Sequence, residues 1–122
     1  MKYAERSKLS RANSSGASHW WHQRITSIIM VPLTIWLVYF SYILYQLDPP
    51  DILKILHIPY NVVMIEIFLV TVFYHSALGM QMVIEDYVSN LNIRHCLILA
   101  LYIFVTVTVI SSMIALLFLM II

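Results

Sequence analysis

The chain has 122 residues, of which 61% are apolar and 11% charged, where a soluble domain carries about one-quarter charged residues. The apolar residues stand in long blocks instead of alternating with polar ones, which excludes a soluble globular domain, and a net charge of +1 gives no footprint for nucleic acid or an acidic substrate. A single cysteine, Cys96, excludes an internal disulfide, a CxxC redox pair and an iron–sulfur cluster held by this chain alone.

Residues 1–24 are basic and serine-rich, with Glu5 as the only acid. This resembles the composition of an organellar transit peptide, but the apolar block that follows is too long for a secretory signal, and we read the segment as a retained extramembrane tail. Ser14, Ser15 and Gly16 suggest flexible chain, and Trp20 and Trp21 suit a headgroup interface. The first span is predicted over about 25–45, with Pro32 one to two turns inside it as a possible bend.

Asp48-Pro49-Pro50-Asp51 predicts a turn, and Ile52 to Ile58 a short interfacial piece of helix. Pro59 and Asn61 then open a second span over about 62–84, and residues 85–95 are predicted as a loop. A third span follows over about 96–120, with Thr106, Thr108, Ser111 and Ser112 as small polar residues suited to helix contacts. Each block has the roughly 20 residues needed to cross the hydrocarbon. The predicted fold is all-α: a single membrane-anchor domain, 1–122, with three transmembrane helices and a short N-terminal tail.

Lys2, Arg6, Lys8, Arg11 and Arg24 precede the first span, Lys54 alone lies in the first loop, and Arg94 lies in the second. The positive-inside rule puts the N-terminus and second loop on the cytoplasmic side and the C-terminus outside.

Of five histidines only His75 falls deep within a span, where an ionisable group is costly and is a functional candidate by default. At 100° per residue, Gly79, Met82 and Asp86 fall within about 40° of His75, on one helix stripe. A neutral imidazole is a good axial ligand for heme iron, and a glycine one turn away would let a flat macrocycle approach the backbone. The same spacing also fits a histidine hydrogen-bonded to a neighbouring helix with Gly79 serving packing.

Since no other histidine is placed at this depth, a bis-histidine heme would need its second ligand from another chain. Asp86 and Tyr87 come about 17 Å further along, at the cytoplasmic edge. There a tyrosine hydroxyl can hold a quinone carbonyl and a carboxylate can relay protons, or the pair is an interfacial tyrosine beside a solvated aspartate. Arg24 could pair with a heme propionate or serve as a snorkelling anchor. Glu66, on the face opposite His75 and one turn inside the outer boundary, is expected to reach the interface or pair with a partner subunit.

The run His75-Ser-Ala-Leu-Gly-Met-Gln-Met-Val-Ile-Glu-Asp-Tyr-Val resembles the second-helix signature of the small anchor subunit of succinate dehydrogenases. Ser18-His-Trp-Trp-His-Gln-Arg-Ile-Thr-Ser-Ile resembles the opening of that family's first helix, while the third span matches by hydrophobicity only. The resemblance implies His75 as axial ligand of heme b, Tyr87 as a ubiquinone hydrogen-bond donor, Asp86 as its neighbour in that site, and Arg24 near a propionate. It also implies a flavoprotein subunit carrying FAD, an iron–sulfur subunit and a second, cytochrome b anchor subunit sharing the heme, all with ubiquinone as substrate.

The chain itself has no dinucleotide fingerprint and no cysteine clusters, so it is not catalytic on its own. The expected location is a bacterial inner membrane, with the mitochondrial inner membrane as the alternative. Rival readings are the anchor of a quinol:fumarate reductase or another cytochrome b, and a cofactor-free three-span scaffold.

Overall fold

A computed structural model describes the backbone of residues 2–122 and the side chains of 2–7 and 16–122. It holds four helices in chain order: α1 Lys2–Tyr45, α2 Pro49–Leu56, α3 Pro59–Tyr87 and α4 Leu91–Ile121, with no strand among the described residues. Three segments are long and apolar enough to cross a membrane, Gly16–Tyr45, Pro59–Tyr87 and Leu91–Ile121, as the sequence predicts.

The helices outrun the apolar blocks. Helix α1 begins at Lys2 and passes through Ser14, Ser15 and Gly16, so the expected flexible chain there is replaced by helix. A nucleus supplied by the apolar span makes each added helical residue cheap, and Ala, Lys, Arg and Glu in the tail are good formers that offset the cost of about 1 kcal/mol at a glycine. At 1.5 Å per residue α1 is about 66 Å long, twice the ~30 Å hydrocarbon thickness, so about half of it stands outside the lipid.

Two turns are also shorter than expected. The prolines at Pro49 and Pro50 open α2 instead of merely turning the chain, because a proline at the first helical positions forfeits only an amide that has no partner anyway. The predicted loop over 85–95 shrinks to Val88, Ser89 and Asn90. Asn90 is the N-cap of α4, its side chain accepting from the amides of Asn92 and Ile93, and Arg94 Nε donates to Val88 O at 2.9 Å. Glu85, Asp86 and Arg94 therefore lie on helix, α3 and α4 running on past the apolar blocks.

Helix α3 is the shared neighbour on which α1, α2 and α4 each pack. Its start is pinned by Pro59 at the first turn and by Asn61, whose buried Nδ2 donates to Ile55 O at 2.9 Å. The buried apolar residues are few: Leu33, Phe40, Val62, Ala77 and Leu78, with Ala77 fully enclosed. That sparseness is expected in lipid, where Leu and Ile lose nothing by facing acyl chains and helix contact depends on small residues and cross-helix hydrogen bonds. Helix α4 buries none of its residues.

Candidate functional site

Helices α1 and α3 run antiparallel, and the face they share is polar at mid-span. Thr26, 7% exposed, is one of two buried polar residues among those described. Its Oγ1 lies 2.8 Å from His22 O, 3.0 Å from Gln23 O and 2.9 Å from His75 Nδ1. One turn away His22 Nδ1 stands 3.0 Å from the Tyr74 hydroxyl. Residues 22 and 26 on α1 and 74 and 75 on α3 thus make two neighbouring cross-helix bridges.

Next to this seam the α1 stripe spaced at 3–4 residues lines a groove. At the end near Gly16 a cavity of about 510 Å³ is bounded by His19, Trp20, Gln23, Arg24 and Ser27 from α1 and by Gln81, Met82 and Glu85 from α3. Deeper in the span a second cavity of about 430 Å³ is bounded by His75 with Ser27, Met30, Val31, Thr34 and Ile35. Ser27 borders both, so the two are neighbours along one side of the molecule. Both volumes are in the range of small-molecule sites.

The chemistry changes along the groove. Around His75 the wall is apolar apart from Ser27 and Thr34. At the other end Arg24 makes no salt bridge among the described residues and its guanidinium lies 5.3 Å from the centroid of the Trp20 ring, a cation–π contact. Both ring nitrogens of His19 and the Oε1 of Gln23 are buried without a hydrogen-bond partner among the described residues. Orphaned polar atoms of this kind are costly unless something else satisfies them. The groove therefore suits an amphiphile with a flat apolar body against His75 and an anionic edge toward Arg24.

The structure brings together His75 and Arg24 on these neighbouring cavities and adds Thr26, Ser27, Gln23 and His19, which the sequence reading left without a role. The available signal was the i, i+4 run of polar residues His19, Gln23 and Ser27 at the start of an otherwise apolar helix. Of the two parts its spacing allows, Gly79 takes the one in helix packing: a Cβ there would stand 3.6 Å from Gln23 Nε2, so the glycine sits where α1 approaches α3.

Asp86 and Tyr87 lie outside the groove, both exposed at the end of α3, with Tyr87 at 85% exposure; the carboxylate that reaches the groove is Glu85. The described residues contain no cluster of three histidine, cysteine or acidic side chains that could hold a bare metal ion.

The α3–α4 face carries its own polar pairs. Tyr102 OH donates to Gln81 Oε1 at 2.6 Å, and Gln81 Nε2 donates to Glu85 Oε1 at 2.7 Å. Ser112 Oγ lies 3.1 and 3.2 Å from the two Glu66 carboxyl oxygens. Glu66 thus meets Ser112 on α4 of its own chain, which differs from the expected reach to the interface or a partner subunit.

Residues 2–121 match the family model described as succinate dehydrogenase/fumarate reductase transmembrane subunit. The succinate dehydrogenase hydrophobic membrane anchor subunit of Rickettsia felis is 38% identical over 115 residues, covering 94% of this chain and 96% of the relative. That of Rickettsia conorii is 39% identical over 113 residues, covering 91% and 89%. The succinate dehydrogenase membrane anchor subunit of Reclinomonas americana is 34% identical over 84 residues, covering 66% and 69%. No solved structure matches the chain. With a three-span helical fold and near full-length similarity, the chain belongs to the family of succinate dehydrogenase membrane anchor subunits.

Proposed function

We propose that this anchor subunit binds heme b, with His75 as an axial ligand and Arg24 beside a propionate, and that Tyr87 and Asp86 contribute to a site where ubiquinone is reduced. The observation that carries the reading is the seating of His75: its Nδ1 is engaged by α1, and the residue borders an apolar groove that neighbours one edged by Arg24. Heme fits that groove in kind, being an apolar plate with a carboxylate edge, and when bound it supplies a one-electron carrier inside the membrane.

The chain's own residues do the rest. The imidazole of His75 offers a neutral nitrogen donor, Arg24 offers donors and positive charge to an anionic edge, and Met30, Val31 and Ile35 offer an apolar surface beside the imidazole. A second axial ligand would come from another chain, since no other histidine of the sequence falls as deep within a span as His75. The exposure of Tyr87 leaves its hydroxyl free to donate to a quinone carbonyl in a site completed by a neighbour, with Asp86 close by to hand on protons.

In this reading the partners are a flavoprotein subunit carrying FAD, an iron–sulfur subunit and a second, cytochrome b anchor subunit. The complex sits in a bacterial inner membrane with the N-terminus cytoplasmic; the excess of Lys and Arg before the first span supports that orientation.

The test is purification of the assembled complex in mild detergent, followed by optical spectra and succinate-driven quinone reduction. A b-type band is expected, and Tyr87→Phe should slow quinone reduction by about two- to tenfold, the loss of one hydrogen bond, with heme content unchanged. A complex without a b-type band would leave a heme-free anchor in its place.

A further inference from the structure

We propose that Thr26 is a positioning residue that fixes the tautomer and orientation of His75, holding the proton on Nδ1 so that Nε2 keeps its lone pair for the iron. This rests on the reading of His75 as a heme ligand.

The inference follows from counting protons. The Thr26 hydroxyl has one hydrogen and three close neighbours: His22 O at 2.8 Å, Gln23 O at 3.0 Å and His75 Nδ1 at 2.9 Å. The two carbonyl oxygens can only accept. If the hydroxyl donated to Nδ1, the two oxygen–oxygen approaches of 2.8 and 3.0 Å would have no proton between them and would set lone pair against lone pair. If the hydroxyl donates back to its own helix, the usual habit of a helical threonine, its one hydrogen is shared between those carbonyls and the ring donates Nδ1–H to Oγ1. A neutral imidazole carries one such hydrogen, so Nε2 is then the unprotonated nitrogen.

The geometry around the pair favours a fixed arrangement. Thr26 is 7% exposed and rigid at χ1, being β-branched, and its hydroxyl is held by the backbone of the preceding turn. His75 reaches it from the other helix, so the bridge ties ring orientation to the packing of α1 on α3. A hydrogen bond to the far nitrogen of a metal-bound imidazole raises its basicity and orients the ring, and losing such a partner typically lowers metal affinity by about 10- to 100-fold. A more basic ligand favours the ferric state, so its loss moves the heme potential upward.

The experiment compares Thr26→Val, which keeps shape and loses the hydroxyl, with Thr26→Ser, which keeps the hydroxyl, in the assembled complex, reading heme content, midpoint potential and the ferric low-spin EPR signal. Thr26→Val is expected to retain roughly one-tenth of the heme or less after detergent washing, with a more positive potential and an altered EPR signal, and Thr26→Ser to restore all three. Wild-type values in Thr26→Val would overturn the proposal.

Should Thr26→Val fail to assemble, Thr26→Cys against Thr26→Ser carries the test, since sulfur is a weak acceptor: a raised potential in Cys alone supports the bridge, and equal potentials overturn it. His75→Ala separates the two levels. Loss of the b-type signal there with an unperturbed Thr26→Val leaves the ligand standing and removes the positioning role, whereas an intact signal in His75→Ala removes both.

Discussion

Both faces of α3 are bridged by hydrogen bonds, but they differ in what is left over. Toward α4, Glu66 meets Ser112 and Gln81 joins Tyr102 to Glu85, so the polar groups largely satisfy one another. Toward α1, Thr26 engages one nitrogen of His75, while both nitrogens of His19 and Gln23 Oε1 have no partner among the described residues. A helix contact that exists only to hold the bundle together tends to close its hydrogen bonds, because lipid offers no water to complete them. In the function proposed here, the face with unspent donors and acceptors is the one that takes a group from outside this chain.

Substitutions on the two faces should therefore separate by readout. On the α1 side, Arg24→Gln removes a charge-assisted donor worth about 1.5–3 kcal/mol, so heme retained through purification should fall roughly tenfold or more while the subunit still assembles; unchanged heme would take Arg24 out of the site. On the α4 side, Asn90→Ala deletes the N-cap of that helix and should cost about 1 kcal/mol, read as a lower midpoint in detergent denaturation with the optical spectrum unaltered. Smallest is Ser112→Ala, which removes the Glu66 bridge at about 0.6 kcal/mol, again with heme content unaffected. A heme loss in either α4 variant would break the contrast between the faces.

The sequence carries the fold at the level of spans because lipid imposes length and hydropathy together. It carries helix ends poorly, since hydropathy reports the membrane-embedded part while the hydrogen-bond ladder of α1 runs on through a polar tail to Lys2, and those of α3 and α4 through Tyr87 and from Leu91. His75 and Arg24 were legible from depth and charge. Thr26 was not, because a threonine in a helix looks the same whether it bonds its own backbone alone or also meets a ring 49 residues away. For Glu66 the sequence predicts reach to the interface or a partner subunit because Ser112 is 46 residues distant, and only the packing of α4 on α3 brings the two together.

The most direct measurement is the reduced-minus-oxidised optical spectrum of the assembled complex, wild type beside His75→Ala, at matched protein content. A b-type band in wild type that is lost or shifted in the variant is the result predicted if the α1–α3 groove holds heme on His75. An equal band in both proteins would contradict it, moving the heme to other residues of the complex and leaving His75 as a bridge between α1 and α3.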